Sequence, residues 1–268
     1  MNFPFVKGHG THNDFVVLPD LGGSVHGDLD PEVVARICDR RAGIGGDGVL
    51  RVVRGKHDAA WFMDYRNADG SVGELCGNGL RVFARYLEAT HLVDTQSPLS
   101  VETRGGVSQV SFCDDGEISV AIGVPVIGGR VKVDLDGRSY DAVGVDMGNP
   151  HAVVFVDTLD ELGSPCESPT FSADDFPAGA NVEFVVRRAP GHLAMRVFER
   201  GVGETKSCGT GACAAVVAAA GVEDDRRVER GAHRVDVAGG RLTVTWDEDG
   251  QLHLKGPAIL VAEGVWRG

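Results

Sequence analysis

Cys76 and Cys208 are the residues of this 268-residue sequence whose types and setting point to chemistry. Each opens a Cys-Gly-x-Gly string, Cys-Gly-Asn-Gly at 76–79 and Cys-Gly-Thr-Gly at 208–211. Each string runs directly into an apolar stretch of helical character, LRVFARYLEA in one case and ACAAVVAAAG in the other. A cysteine just before a helix sees the unsatisfied N–H groups of the first turn and the positive end of the helix dipole, which favour thiolate over thiol. The glycines that follow remove Cβ atoms, so a ligand carboxylate can approach the backbone amides beside the sulfur. Two such corners suit inversion of a stereocentre. One sulfur, as thiolate, removes a proton from a carbon; the other, as thiol, delivers one to the opposite face. Negative charge developing on the carboxylate is stabilised by the helix termini. The scheme needs no cofactor, and none is expected.

The elements that position the two cysteines are legible in outline. The cysteines are 132 residues apart, 208 − 76, about half the chain. A duplicated domain, each copy a sheet wrapped around one central helix, accounts for that offset, with the two corners facing each other across a cleft. Short alternating or β-branched runs such as DFVVL, GVLRVV, VSQVSF and RLTVTW are separated by the turn signals NADG, DDG, LDG and EDG, which predicts hairpins and much antiparallel sheet. PEVVARICDR reads as a further helix, with Asp30 as N-cap and Pro31 in its first turn. LRVFARYLEA puts Leu80, Phe83, Ala84 and Leu87 on one face and Arg81, Arg85 and Glu88 elsewhere, whereas ACAAVVAAAG, with no charge, is expected to be buried all round.

Composition closes off several classes. The formal net charge of −13 repels nucleic acid and anionic membranes, and the Arg pairs at 40–41, 187–188 and 226–227 are isolated. No run of 18 or more apolar residues suggests a membrane span, and MNFPFVKGHG lacks the charge and apolar core of a signal peptide, so a cytoplasmic protein is expected. Six cysteines at 38, 76, 113, 166, 208 and 213 make a weak case for disulfides in such a compartment. The sequence has no Cys-x-x-Cys, which argues against zinc knuckles. The cysteines other than Cys76 and Cys208 read as small buried hydrophobes. Lys206, close to the second motif, reads as a solvated loop charge rather than a Schiff-base lysine.

Two longer segments carry a resemblance: ERGVGETKSCGTGACAA from Glu199 to Ala215, and NADGSVGELCGNGLRVFARY from Asn67 to Tyr86. With NDF at Asn13, GIGGDG at Gly43, MGNPH at Met147 and NVEF at Asn181, they resemble the diaminopimelate epimerase family in order and spacing over essentially the whole chain. The resemblance implies an α+β fold of two pseudo-symmetric domains, each a largely antiparallel or mixed sheet around a central helix. Boundaries are expected at 1–121 and 122–256, with a strand in 257–268 returning to the first domain. It implies the interconversion of L,L- and meso-diaminopimelate, in the route to lysine and peptidoglycan precursors, by Cys76 and Cys208 and without pyridoxal phosphate or metal. The partner is then a small diamino-dicarboxylic acid, and a homodimer is compatible with the family.

By the same resemblance Gly77, Asn78, Gly209 and Thr210 hold the reacting carboxylate through their amides. Asn13, Asn67, Asn149, Asn181, Glu199 and Arg200 hold the rest of the amino acid. The residue types suit those roles, since Asn offers donor and acceptor, Glu accepts from an ammonium, and Arg clasps a carboxylate. A lone Asn also reads as a turn residue, for Asn67 about as well as a binding one, and His151 in Gly-Asn-Pro-His suits a turn and is no candidate for either base. One departure stands out. The family commonly has Gly before Asn13, where this chain has His12. If that position needs a positive φ, the shape of the loop is affected. A proline-racemase-like enzyme on the same fold and a thiol-based redox or metal-binding protein are the competing readings.

Overall fold

The alternating runs become strands, and their order reveals the duplication more clearly than the motifs do. The computed structural model describes residues 2–56, 59–164, 168–221 and 230–268; Cys166 and the Arg226–Arg227 pair lie outside them. The chain divides into two compact units, Met1–Ala121 with Gly256–Gly268, and Ile122–Lys255. The first half runs β1 (Asn2–Gly10), β2 (Asn13–Pro19), α1 (Pro31–Cys38), β3 (Gly48–Arg54), β4 (Trp61–Asn67), α2 (Gly77–Ala89), β5 (Leu99–Thr103), β6 (Gly106–Phe112) and β7 (Ile118–Gly123). The second runs β8 (Val126–Leu135), β9 (Arg138–Asp146), β10 (Pro150–Phe155), β11 (Thr170–Phe171), β12 (Asn181–Ala189), β13 (His192–Glu199), β14 (Gly203–Thr205), α3 (Gly209–Gly221), β15 (Gly231–Val237), β16 (Gly240–Trp246) and β17 (Leu252–Gly256). The last strand is β18 (Ile259–Arg267).

In the first unit the strands pair in the order β18-β1-β2-β3-β4-β5-β6-β7. Pairs β2–β3 and β4–β5 are parallel and the others antiparallel. In the second unit the order is β8-β9-β10-β12-β13-β15-β16-β17. There β10–β12 and β13–β15 are the parallel pairs. The two successions are the same step for step. β18 occupies in the first unit the place of β8 in the second, so the returning strand supplies an edge that the first half of the chain lacks. Each sheet wraps one helix: α2 packs on β1, β2, β3, β4 and β18, and α3 on β9, β10, β12, β13 and β16.

Local sequence accounts for the elements. Asp30 accepts a hydrogen bond from the Glu32 amide and caps α1, with Pro31 at its start, a cap worth about 1 kcal/mol. The LDG turn joins β8 to β9 through Asp136 and Gly137 at φ 48° and 76°, the left-handed pair of a two-residue hairpin whose twist matches the strands. Leu80, Phe83, Ala84 and Leu87 are fully buried, and so are Ala212 to Ala218 of α3. One expectation fails. Helical periodicity sets Arg81 off the buried face of α2, yet it has no exposed surface. Sheet surrounds this helix on more than one side, so even its polar positions are covered, and the Arg81 guanidinium donates to Asn78 Oδ1 (3.0 Å) and the Pro257 carbonyl (3.4 Å).

The β1–β2 hairpin settles the place of His12. Thr11 and His12 form its two-residue tip, both with positive φ, 51° and 64°. The His12 amide donates to His9 Nδ1 (3.3 Å), and the two rings meet edge to face. The position is therefore one that favours glycine, and Asn13 nevertheless begins β2 in register with Gly10. His12→Gly is expected to raise unfolding stability by about 0.5–1 kcal/mol, the relief of left-handed strain less the added freedom of the unfolded chain; urea denaturation checks it.

Asp20 pins the connection after β2. Its carboxylate accepts from Arg51 (2.9 and 2.6 Å) and from the amides of Ser24, Val25 and His26. Burial alone would raise its pKa, but the bonds from Val25, Arg51 and His26 outweigh that and hold the carboxyl well below the usual carboxylate range. A depressed pKa stabilises the fold above the unfolded value of 3.8 and loses that contribution as the pH falls toward the folded value. Asp20→Asn is expected to cost about 3–5 kcal/mol at neutral pH by leaving Arg51 short of a partner, and to flatten the acid limb of stability against pH.

Candidate active site

Both Cys-Gly-x-Gly strings form the first turn of a buried helix, and the cysteine sulfur takes the same position in each. Cys76 is the N-cap of α2, in extended conformation, and its Sγ accepts from the Gly79 amide at 3.4 Å. Cys208 stands likewise before α3, and its Sγ accepts from the Gly211 amide at 3.4 Å. The carbonyls of the two cysteines accept the first helical bonds, from Leu80 (2.8 Å) and Ala212 (3.0 Å). Each sulfur thus satisfies an amide that a buried helix end would otherwise leave unpaired. Neither cysteine is in a disulfide.

The second glycine of each motif serves packing rather than ligand approach. A Cβ at Gly79 would stand 3.2 Å from Leu50 Cδ2, and one at Gly211 would stand 2.5 Å from Glu183 Oε1. In the second motif this glycine makes room for a buried carboxylate.

In the first unit Asn13, Cys76 and Asn78 come together. Asn78 Nδ2 donates to Asn13 Oδ1 (3.2 Å), Cys76 Sγ lies 3.8 Å from the same oxygen, and Asn13 Nδ2 donates to Asp47 Oδ2 (2.8 Å). Asn67 ends β4, where its Oδ1 accepts from the Tyr65 hydroxyl (2.7 Å) and its Nδ2 donates to Ser71 Oγ (2.9 Å). Gly77 is the first residue of α2 and is buried.

In the second unit Asn149, Thr210 and Cys208 come together. Thr210 Oγ1 lies 3.5 Å from Cys208 Sγ and accepts from Asn149 Nδ2 at 3.4 Å. Asn149 Oδ1 faces His151 Nε2 at 3.1 Å, and His151 Nδ1 lies 2.7 Å from Glu183 Oε1. His151 and Glu183 have no exposed surface. Glu183 Oε2 is buried without a hydrogen bond among the described residues. A polar chain therefore runs from a buried carboxylate to the sulfur. Asn181 is tied to backbone, accepting from the Arg200 amide (3.0 Å) and donating to the Pro150 carbonyl (3.3 Å). Glu199 Oε1 accepts from Thr205 Oγ1 (2.5 Å), and Arg200 Nη1 donates to the Ala178 carbonyl (3.0 Å). Gly209 opens α3.

Two expectations change here. Burial pushes the Cys208 thiol well up, with the Glu199 and Glu183 carboxylates acting in the same direction; the Thr210 hydroxyl and Gly211 amide oppose them without prevailing. The helix terminus alone would lower this thiol, but a buried sulfur acted on by two carboxylates resists ionisation. His151 is not a turn residue: it lies in β10, opposite Asn181 in the parallel ladder with β12. It and Glu183 fall within the segments MGNPH and NVEF, whose resemblance assigns neither of them a role. The available signal was strand alternation, which puts Asn149 with His151, and Asn181 with Glu183, on common faces. Lys206 is exposed, in keeping with a solvated loop charge.

The diaminopimelate epimerase family matches residues 5–128 and 143–261 of the chain. The diaminopimelate epimerase of Streptomyces coelicolor is 50% identical over 275 residues, covering 97% of this chain and 94% of its own length. That of Thermobifida fusca is 47% identical over 276 residues, covering 97% and 96%. Among solved structures, a Bacillus anthracis phenazine biosynthesis protein of the PhzF family has a TM-score of 0.70 at 20% identity, covering 100% of this chain and 99% of its own. A hydroxyproline epimerase from Agrobacterium vitis has a TM-score of 0.68 at 15% identity, covering 98% and 92%; at such identities these two speak for the fold. With a family match across both units and relatives near half identity along almost its whole length, this chain belongs to the diaminopimelate epimerase family.

Proposed function

We propose that this protein interconverts L,L- and meso-diaminopimelate with Cys76 and Cys208 as its acid/base pair and without a cofactor. The observation that carries the reading is the paired corner itself. Two cysteines in a chain of this family each cap a buried helix, and each sulfur is held 3.4 Å from a first-turn amide.

The step balances with two sulfurs alone. A thiolate takes the α-proton as the C–H bond breaks, and the electron pair left on carbon is delocalised into the adjacent carboxylate. The other thiol gives its proton to the opposite face of that carbon, so one enzyme sulfur ends as thiol and the other as thiolate, the reverse of the start. Amides at Gly77, Asn78, Gly209 and Thr210 hold the reacting carboxylate and stabilise the charge it gains. Asn13, Asn67, Asn149, Asn181, Glu199 and Arg200 recognise the remaining groups of the substrate. The raised thiol of Cys208 suits the proton-donating role at the start of a turnover. The same reading places the enzyme in the cytoplasm, in lysine and peptidoglycan-precursor synthesis, and includes a homodimer as its assembly.

Proton NMR of L,L-diaminopimelate in D₂O with the enzyme and no added cofactor tests the reading. Loss of the α-proton signal with appearance of the meso isomer is the expected result; no exchange by folded, reduced enzyme would overturn the substrate. Cys76→Ala and Cys208→Ala should each fold, as judged by circular dichroism, and lose about 10²–10⁴-fold or more in turnover, the range for a positioned acid or base. Near-normal turnover in either would overturn the two-base scheme.

A further inference from the structure

The matched sheets allow the two units to be compared residue by residue. Phe15 opens the parallel ladder of β2 on β3, and His151 opens that of β10 on β12. Asn13 and Asn149 each stand two residues before them, and are therefore equivalent. Five residues after each cysteine stand Arg81 in α2 and Cys213 in α3, neither with exposed surface. The first unit thus buries a cation where the second buries a thiol.

That cation fixes the sense of a hydrogen-bond relay. A guanidinium only donates, so the Asn78 atom facing Arg81 Nη2 at 3.0 Å is the acceptor Oδ1. Asn78 Nδ2 then faces Asn13, whose atom there at 3.2 Å is Oδ1. Asn13 Nδ2 is left to face Asp47 Oδ2 at 2.8 Å, and an ionised carboxylate only accepts. Both ends of the relay demand the same orientation of both amides. The result at the sulfur is an amide oxygen 3.8 Å from Cys76 Sγ. In the second unit, where Cys213 replaces the cation, the equivalent amide is turned the other way: Asn149 sends its Nδ2 to Thr210 Oγ1 at 3.4 Å. The other charged groups joined to the relay are Arg40, which pairs with Asp47 and Asp14, and Lys7, which pairs with Asp14.

We propose that Arg81 is a positioning residue of the reaction, which through Asn78, and jointly with Asp47 at the other end of the relay, locks the Asn13 oxygen toward Cys76 and so holds that cysteine as the thiol until substrate displaces the contact. An acceptor beside the sulfur stabilises S–H and disfavours S⁻. Freed from both ends of the relay, the Asn13 amide can turn and offer N–H instead, which favours thiolate. The proposal rests on Cys76 being one of the two acid/base groups.

The test is the pH dependence of iodoacetamide alkylation at Cys76, read by mass spectrometry of its peptide in the full-length Cys208→Ser/Asp47→Ala protein, from which the Asp47 end of the relay has been removed. Arg81→Met and Asn78→Ala are each expected to lower the midpoint by about one unit, roughly tenfold faster alkylation below it. Loss of a nearby cation by charge alone would raise the midpoint, so a rise or no change in Arg81→Met overturns the relay. Asn78→Ala retains Arg81 and decides the matter should Arg81→Met fail to fold; an unchanged or raised midpoint there overturns it too. Alkylation needs no substrate, so its outcome is separate from that of the D₂O experiment. Absence of exchange in the unsubstituted enzyme would sink the functional reading, whereas an unmoved midpoint sinks only the role of Arg81.

Discussion

A helix enclosed by its own sheet cannot turn the N–H groups of its first turn to water, and this chain answers that need twice with a cysteine sulfur. Sulfur is a weak acceptor, and a serine or aspartate at the same position would cap the helix better. Placing cysteine there sacrifices some capping strength and leaves a polarised thiol at the mouth of a buried helix. The rest of each unit follows from keeping that helix enclosed: an eight-strand succession around it, small residues along α3, and glycine where the turn meets its neighbours.

The enclosure also explains the path of the C-terminus. The second half of the chain begins with β8, which completes its sheet beside β9. Among the described residues no strand stands ahead of β1, and without a neighbour there α2 would be uncovered along that edge. β18 fills the place, and Arg81 and Arg85 on α2 donate to the carbonyls of Pro257 and Ala258 just before it. Sequence that is last in the chain is therefore structural for the first cysteine.

Duplication did not make the two corners alike in electrostatics. Apolar Phe15 and Leu50 fill the positions that His151 and Glu183 take in the second unit, so packing alone does not require the buried polar pair. The Glu199 and Glu183 carboxylates act on Cys208, whereas Cys76 sits beside the Asn13 oxygen, in a relay that ends on the buried Arg81 and on Asp47. The two sulfurs are thus set in different fields, one largely through charge and the other through a directed hydrogen bond.

The sequence by itself determined the paired corners, the half-chain repeat, the three helices and the hairpin turns, because these depend on local signals: a cap, an apolar period, an Asp-Gly at a two-residue turn. Family motifs likewise marked Asn13, Asn78, Asn149 and Thr210, which the structure gathers around the sulfurs. Only the tertiary structure decided how the groups are charged and buried. Arg81 looks like a surface residue in the sequence because helical periodicity describes one face and says nothing of a sheet that curls around the others. His151 looks like a turn residue because Gly-Asn-Pro-His is a turn signal, whereas its strand and its partner Glu183, 32 residues away, come from parallel pairing that no local pattern encodes. The Cys208 thiol is shifted opposite to the helix-dipole expectation for the same reason: desolvation and the placement of Glu199 and Glu183 are properties of the folded chain.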